Sequence, residues 1–140
     1  MTADERRLAR LRRLERVRAA AKRQVAAETA QAEGVLAQLR ALTERTRQLA
    51  ADYVGRDDVP DGYMLTQSTR FAAGLCQIIH STGRGASTAQ ARADRKMAEL
   101  AAAERSRAAV EQRADNEARA IARRAESPAT VARKRIWHDT

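Results

Sequence analysis

The stretch VGRDDVPDGYM, residues 54–64, governs how this chain folds. It gathers Gly55, Pro60, Asp61 and Gly62 among further charged residues and is the densest cluster of turn formers in the sequence. An interior proline removes a helical hydrogen bond and a glycine is costly to order, so a cluster of them is expected to take the backbone out of the helix here. The segments on either side carry helical periodicity. A short loop between two long periodic helices predicts an antiparallel hairpin, because the apolar stripe of each arm can be covered only by the other arm.

Upstream of the loop, the series Leu11, Leu14, Arg18, Ala21, Val25, Glu28, Ala32, Val35, Leu39, Leu42, Thr46, Leu49 and Tyr53 advances by threes and fours. Ten of these thirteen positions are apolar or Tyr, which makes a heptad seam. Downstream, Phe71, Ala72, Leu75, Ile78 and Ile79 repeat on one face, and then Gly83-Arg84-Gly85 is expected to kink or break the helix. Ser87 with Gln90 three residues later has capping-box spacing and predicts a restart near residue 88. The seam then continues through Ala89, Ala93, Lys96, Leu100, Ala103, Arg107, Val110, Ala114, Glu117 and Ile121, of which Lys96, Arg107 and Glu117 fit poorly in an apolar interior. Ser127-Pro128 reads either as a cap opening a short basic helix through Trp137 or as the start of a frayed tail.

The expected architecture is therefore all-α: one elongated coiled-coil domain over 1–140, with a first arm at about 4–54, a loop at 55–63, a second arm at about 64–126 and a basic segment at 127–140. A tight turn sets Leu42 against Leu75, Leu39 against Ile78 and Leu14 against Ala103, with Asp4 reaching about as far as Arg113. Composition agrees with thin helices. Of 140 residues 32 are Ala, the best helix former, and only Tyr53, Tyr63, Phe71 and Trp137 are aromatic, so a thick core is not expected.

The charge is unevenly placed. Residues 1–23 hold nine basic side chains against three acidic ones, and residues 123–140 hold five against two, whereas residues 24–122 contain thirteen of each sign. The formal charge of +9 thus belongs to the two termini, which a hairpin brings together. Such an end suits an acidic partner. Nucleic acid is disfavoured by the absence of interleaved aromatics and of a recognisable reading module. A membrane surface is disfavoured because Leu11, Leu14, Arg7 and Arg18 share one sector of the helix. An acidic protein surface or pore remains, beside the plainer reading of a solvated helix whose charges keep a thin protein in solution.

Chemistry is sparse. Cys76 and His80 share a helical face, but no second Cys supports a metal site, and Cys76 is expected to be a small buried residue with His80 at the rim. Gly83-Arg84-Gly85 is too short for a phosphate loop, and the acids are interspersed with arginines as on solvated ion-pairing faces. No enzyme, cofactor, metal or small-molecule substrate is expected. With no secretory core at the N-terminus, no apolar run of about 20 residues and a single Cys, the expected compartment is the cytosol.

A basic start running into RLRRLERVRAAAKRQVAAETAQAEGVLAQLRAL, then a short polar loop, FAAGLCQII, ERSRAAVEQRADNEARAIARR and a basic tail, resembles the FliJ family of flagellar type III export proteins over most of the chain. The resemblance lies in the order and lengths of these parts. It implies a long antiparallel coiled coil, similar to the central stalk of rotary ATP synthases, whose terminal helices enter the ring of the export ATPase. It also implies contact with the export gate membrane protein and with export chaperones, at the inner membrane beneath the flagellum. Carried onto this sequence, the ring contact falls on Arg6, Arg7, Arg10, Arg12, Arg13 and Arg16, joined by Arg133, Lys134 and Arg135, and the apolar patch after the turn on Phe71, Leu75, Ile78 and Ile79. The STGRGAST interruption departs from the unbroken second helix of that family. The rival readings are a coiled coil that binds nucleic acid and a dimerising scaffold.

Overall fold

The structure, a computed structural model, describes the backbone of residues 1–54 and 61–138 and the side chains of 1–54 and 61–127. It is an all-α helical hairpin: α1, Ala3–Val54, packs against α2, Gly62–His138. The turn expected at Gly55 to Pro60 lies outside the described residues. Both helix starts are capped by side chains. At α1 the Thr2 hydroxyl accepts the Glu5 N–H at 3.2 Å and the Glu5 carboxylate accepts the Thr2 N–H at 2.7 Å, a reciprocal capping box. At α2 the Asp61 carboxylate accepts the Met64 N–H at 2.8 Å.

The second arm is not broken. α2 passes through Gly83-Arg84-Gly85 and through Ser127-Pro128 as one helix of 77 residues, so neither the restart near residue 88 nor a separate basic helix is present. No described glycine has a positive φ. Each interior glycine costs a helix about 1 kcal/mol relative to alanine, a modest sum beside the packing that holds a long amphipathic helix in place. Here that packing includes Leu39, whose Cδ1 lies 3.9 Å from the point where a Gly85 Cβ would sit. Gln90, expected in a cap, instead donates to Asp94 at 2.9 Å from mid-helix.

The chain divides into two compact units, Ala27–Ala98 and a terminal unit of Met1–Ala26 with Glu99–Thr140. In the loop-side unit, Ala32, Leu36, Ala89 and Ala93 form the core, with Leu39 and Ala86 packed against it. Thr29, Thr43 and Thr46 are also buried. Their hydroxyls are satisfied by nearby acceptors. Thr43 Oγ1 lies 2.9 Å from the Leu39 carbonyl and 3.1 Å from Thr82 Oγ1, Thr46 donates to the Leu42 carbonyl at 2.8 Å, and Thr29 donates across to the Lys96 carbonyl at 3.1 Å.

These contacts correct the expected register. Leu39 meets Gly85 rather than Ile78, and Thr43 meets Thr82, a slip of one heptad. A seven-residue repeat makes registers one heptad apart nearly equivalent in pattern, and only cross-helix contacts separate them. The first-arm seam is also corrected. Leu11, Val25, Glu28, Ala32, Leu39, Thr46 and Tyr53 are buried or half-buried as expected, but Arg18 and Ala21 are exposed, and Leu14, Val35, Leu42 and Leu49 are 40–46% exposed. Their places are taken by Glu15, Lys22, Thr29, Leu36, Thr43 and Ala50, one residue further along.

In the terminal unit, Val110 and Ala114 are buried, and Leu8, Leu11, Glu15, Ala19 and Lys22 of α1 are half-buried. Asp4 pairs with Arg124 here, so the helices overlap beyond the expected limit at Arg113. All ten seam positions expected between Ala89 and Ile121 are buried or half-buried across the two units.

Candidate partner-binding surfaces

The three charged positions that fit poorly in the second seam each meet an opposite charge from α1. Lys96 Nζ lies 3.0 Å from Glu28, an Arg107 nitrogen 3.8 Å from Glu15, and Glu117 Oε1 3.8 Å from Arg7. Around Arg107 the pairs form a network. Its guanidinium grips both Glu104 oxygens, at 2.9 and 2.8 Å, and donates to Glu111 at 2.8 Å, while Lys22 reaches Glu104 at 2.7 Å. Donation from Arg107, then from Lys22, lowers the Glu104 carboxyl from 4.5 to about 2. Donation to Glu104, then to Glu111, holds the Arg107 guanidinium above its usual range. Helical spacing produces this cluster, because Glu104, Arg107 and Glu111 stand three and four apart.

The network divides the N-terminal arginines into two sets. Arg12 is drawn to Asp115 at 3.1 Å and to Glu15 at 3.8 Å, and Arg7 leans to Glu117. Arg6, Arg10 and Arg13, spaced by four and three, are exposed and take part in no ion pair among the described residues, as does Arg16. At 100° per residue, Arg6, Arg10 and Arg13 lie on the side of α1 opposite Leu8, Leu11 and Glu15. The outward basic stripe is therefore narrower than the nine-residue set read from sequence. Arg133, Lys134 and Arg135 belong to α2, but their side chains lie outside the described residues.

The apolar patch expected after the turn is likewise split. Leu75, 6% exposed, and half-buried Ile79 face α1, whereas Phe71 and Ile78 are 44% and 47% exposed. Phe71 rests against Tyr53, with ring centroids 4.4 Å apart. Sequence reasoning missed Val35, Leu42 and Leu49 as surface residues. The missed signal was the spacing of four from Ala32 to Leu36 and from Leu39 to Thr43, which fits the heptad as well as the spacing of three does.

Cys76 is exposed, contrary to the buried position expected for it, and so is His80. Among the described residues no three His, Cys, Asp or Glu side chains gather to hold a metal ion, and no helix is long and apolar enough to cross a membrane. Against known proteins, no family model, no curated protein and no solved structure matches the chain.

Proposed function

We propose that the chain is a non-enzymatic coiled-coil component of the flagellar type III export apparatus. In this reading it is a cytoplasmic stalk, peripheral to the inner membrane, whose basic end docks into the export ATPase ring and links it to the export gate and to chaperones. The observation that carries the proposal is the row of Arg6, Arg10 and Arg13, exposed and without ion pairs among the described residues, on the side of α1 turned from α2. Acidic groups on a partner would meet three guanidinium groups at helical spacing, with no acid among the described residues paired to them. The resemblance to the FliJ family in the order and lengths of the parts supports the choice of partner.

The test is charge reversal of Arg6, Arg10 and Arg13 to Glu, measured as binding to the cognate export ATPase and stimulation of its hydrolysis. Loss of both with unchanged helicity by circular dichroism is the expected result, and unchanged stimulation overturns the docking role. Reversal of Arg7 and Arg12 is expected to lower thermal stability more than it lowers ATPase binding, because these two serve α2. Retention on duplex DNA at physiological salt that disappears with the same triple reversal would favour the nucleic-acid reading instead.

A further inference from the structure

The loop-side unit leaves five large apolar side chains substantially exposed along its two helices. On α1, Val35, Leu42 and Leu49 recur every seven residues at 46%, 45% and 44% exposure, and on α2 Phe71 and Ile78 are seven apart at 44% and 47%. The two rows share one side of the hairpin. Val35 and Arg92 line the same shallow groove, of about 90 Å³, with Gln31, Ala32 and Ala89. Leu42 and Leu49 follow Val35 by one and two heptads, while Ile78 and Phe71 precede Arg92 by two and three. The seam keeps the seven-residue step throughout, through Ala32, Leu39 and Thr46 on α1 and Leu75, Thr82 and Ala89 on α2, so the rows stay on the flank that the groove defines.

We infer that this face is the interface between two copies of the chain, with α1 of each copy laid over α2 of the other. Two properties of the face select a second copy as the occupant. The first is shape. Leu39 opposite Gly85, Thr43 opposite Thr82 and Tyr53 against Phe71 fix the axial levels, so a two-fold axis along the hairpin brings Leu42 of one copy over the hole formed by Ile78, Ser81, Thr82 and Gly85 of the other. Leu49 likewise falls over Phe71, Gly74, Leu75 and Ile78. Bulky knobs thus meet holes floored by Gly74, Ser81 or Gly85. Beyond its chain neighbours and the adjacent backbone of α2, nothing lies within 4 Å of where a Gly74 Cβ would sit, so no side chain of α1 fills that space.

The second property is area. From Gln31 to Asp52 the face is about 30 Å long at 1.5 Å per residue, and two helices side by side are about 20 Å wide. The interface therefore buries about 1,200 Å² in total, the lower bound for a specific and stable association. This pairing is independent of the basic stripe on residues 6–13.

Sedimentation equilibrium of the full chain over about a hundredfold range of concentration tests the inference. Reversible dimerisation is expected for the natural sequence, and the double variant Leu42→Glu with Leu49→Glu is expected to sediment as a monomer with its helicity retained. A mixture of Leu42→Cys and Ser81→Cys chains, each also carrying Cys76→Ser, is expected to form mixed disulfide dimers faster on mild oxidation than either variant alone. A natural chain that stays monomeric throughout the range, or a glutamate variant that dimerises as the natural chain does, overturns the inference. Predominant Leu42-to-Leu42 links overturn the proposed helix pairing.

Discussion

Along α1, Glu15 and Lys22 in the terminal unit occupy the same heptad position as Thr29, Leu36 and Thr43 in the loop-side unit, yet the two units pair their helices by different chemistry. The terminal unit matches charge to charge: Lys22 with Glu104, Glu15 with Arg107, Arg12 with Asp115. The loop-side unit has a cross-helix charge pair, Glu28 with Lys96, and otherwise packs Leu36, Leu39 and Leu75 among alanines, Gly85 and threonines, while Val35, Leu42, Leu49, Phe71 and Ile78 are turned outward. Each kind of seam suits a different task. Matched charges specify register, because a slip sets like charges side by side, but half-exposed pairs contribute little stability. Small residues let two helices approach closely while displacing the large apolar groups to a flank, where another surface can use them.

The largest effect is expected at the apolar centre of the loop-side unit. Leu36→Ala removes a large side chain that is 7% exposed and is expected to cost about 2–3 kcal/mol in chemical unfolding, whereas Leu14→Ala, at a position 40% exposed, is expected to cost no more than about 0.5 kcal/mol. A larger loss from Leu14→Ala than from Leu36→Ala would mean that the inward row is the one read from sequence.

Acid is expected to act on the charged unit first. Glu104 has its carboxyl lowered from 4.5 to about 2, so its contribution is complete above about pH 4.5 and is lost as pH falls towards 2. Arg107→Gln removes the main cause of that shift. Thermal melts followed by circular dichroism are expected to show a lower midpoint for the variant at neutral pH and a weaker dependence on pH between 4.5 and 2. The deficit at neutral pH should shrink as salt is added. A salt-independent deficit would assign Arg107 a packing role through its aliphatic stem.

The smallest expected effect is a gain. Gly83 lies within α2 with nothing beyond the helix's own adjacent backbone within 4 Å of where an added methyl group would sit, so Gly83→Ala should raise stability by about 0.5–1 kcal/mol. No gain, or a loss, would point to a conformation of the Gly83-Arg84-Gly85 segment other than the continuous helix.

The FAAGLCQII segment illustrates how much of the candidate surfaces was legible. Its helical face was evident from spacing, but which of Phe71, Leu75, Ile78 and Ile79 look outward depends on where α1 lies, and α1 covers Leu75 and Ile79. The arginine cluster was similarly visible as composition. Its division into Arg7 and Arg12, which meet acids of α2, and Arg6, Arg10 and Arg13, which do not, required residues more than 100 positions away in sequence.

Local chemistry alone was enough to set two helices rich in alanine, a turn cluster between them, and seven-residue periodicity on both, including the whole second seam from Ala89 to Ile121. Contact between the helices settled the rest. A heptad repeat does not distinguish a spacing of three from one of four, or one register from its neighbour seven residues away, because local pattern is the same in each. Only the approach of Leu39 to Gly85, the Thr43–Thr82 pair and the charges gathered at Arg107 separate them, and these depend on residues brought together by the hairpin. Continuity through Gly83 and Gly85 followed for the same reason: packing against α1 outweighs the helical cost of two glycines.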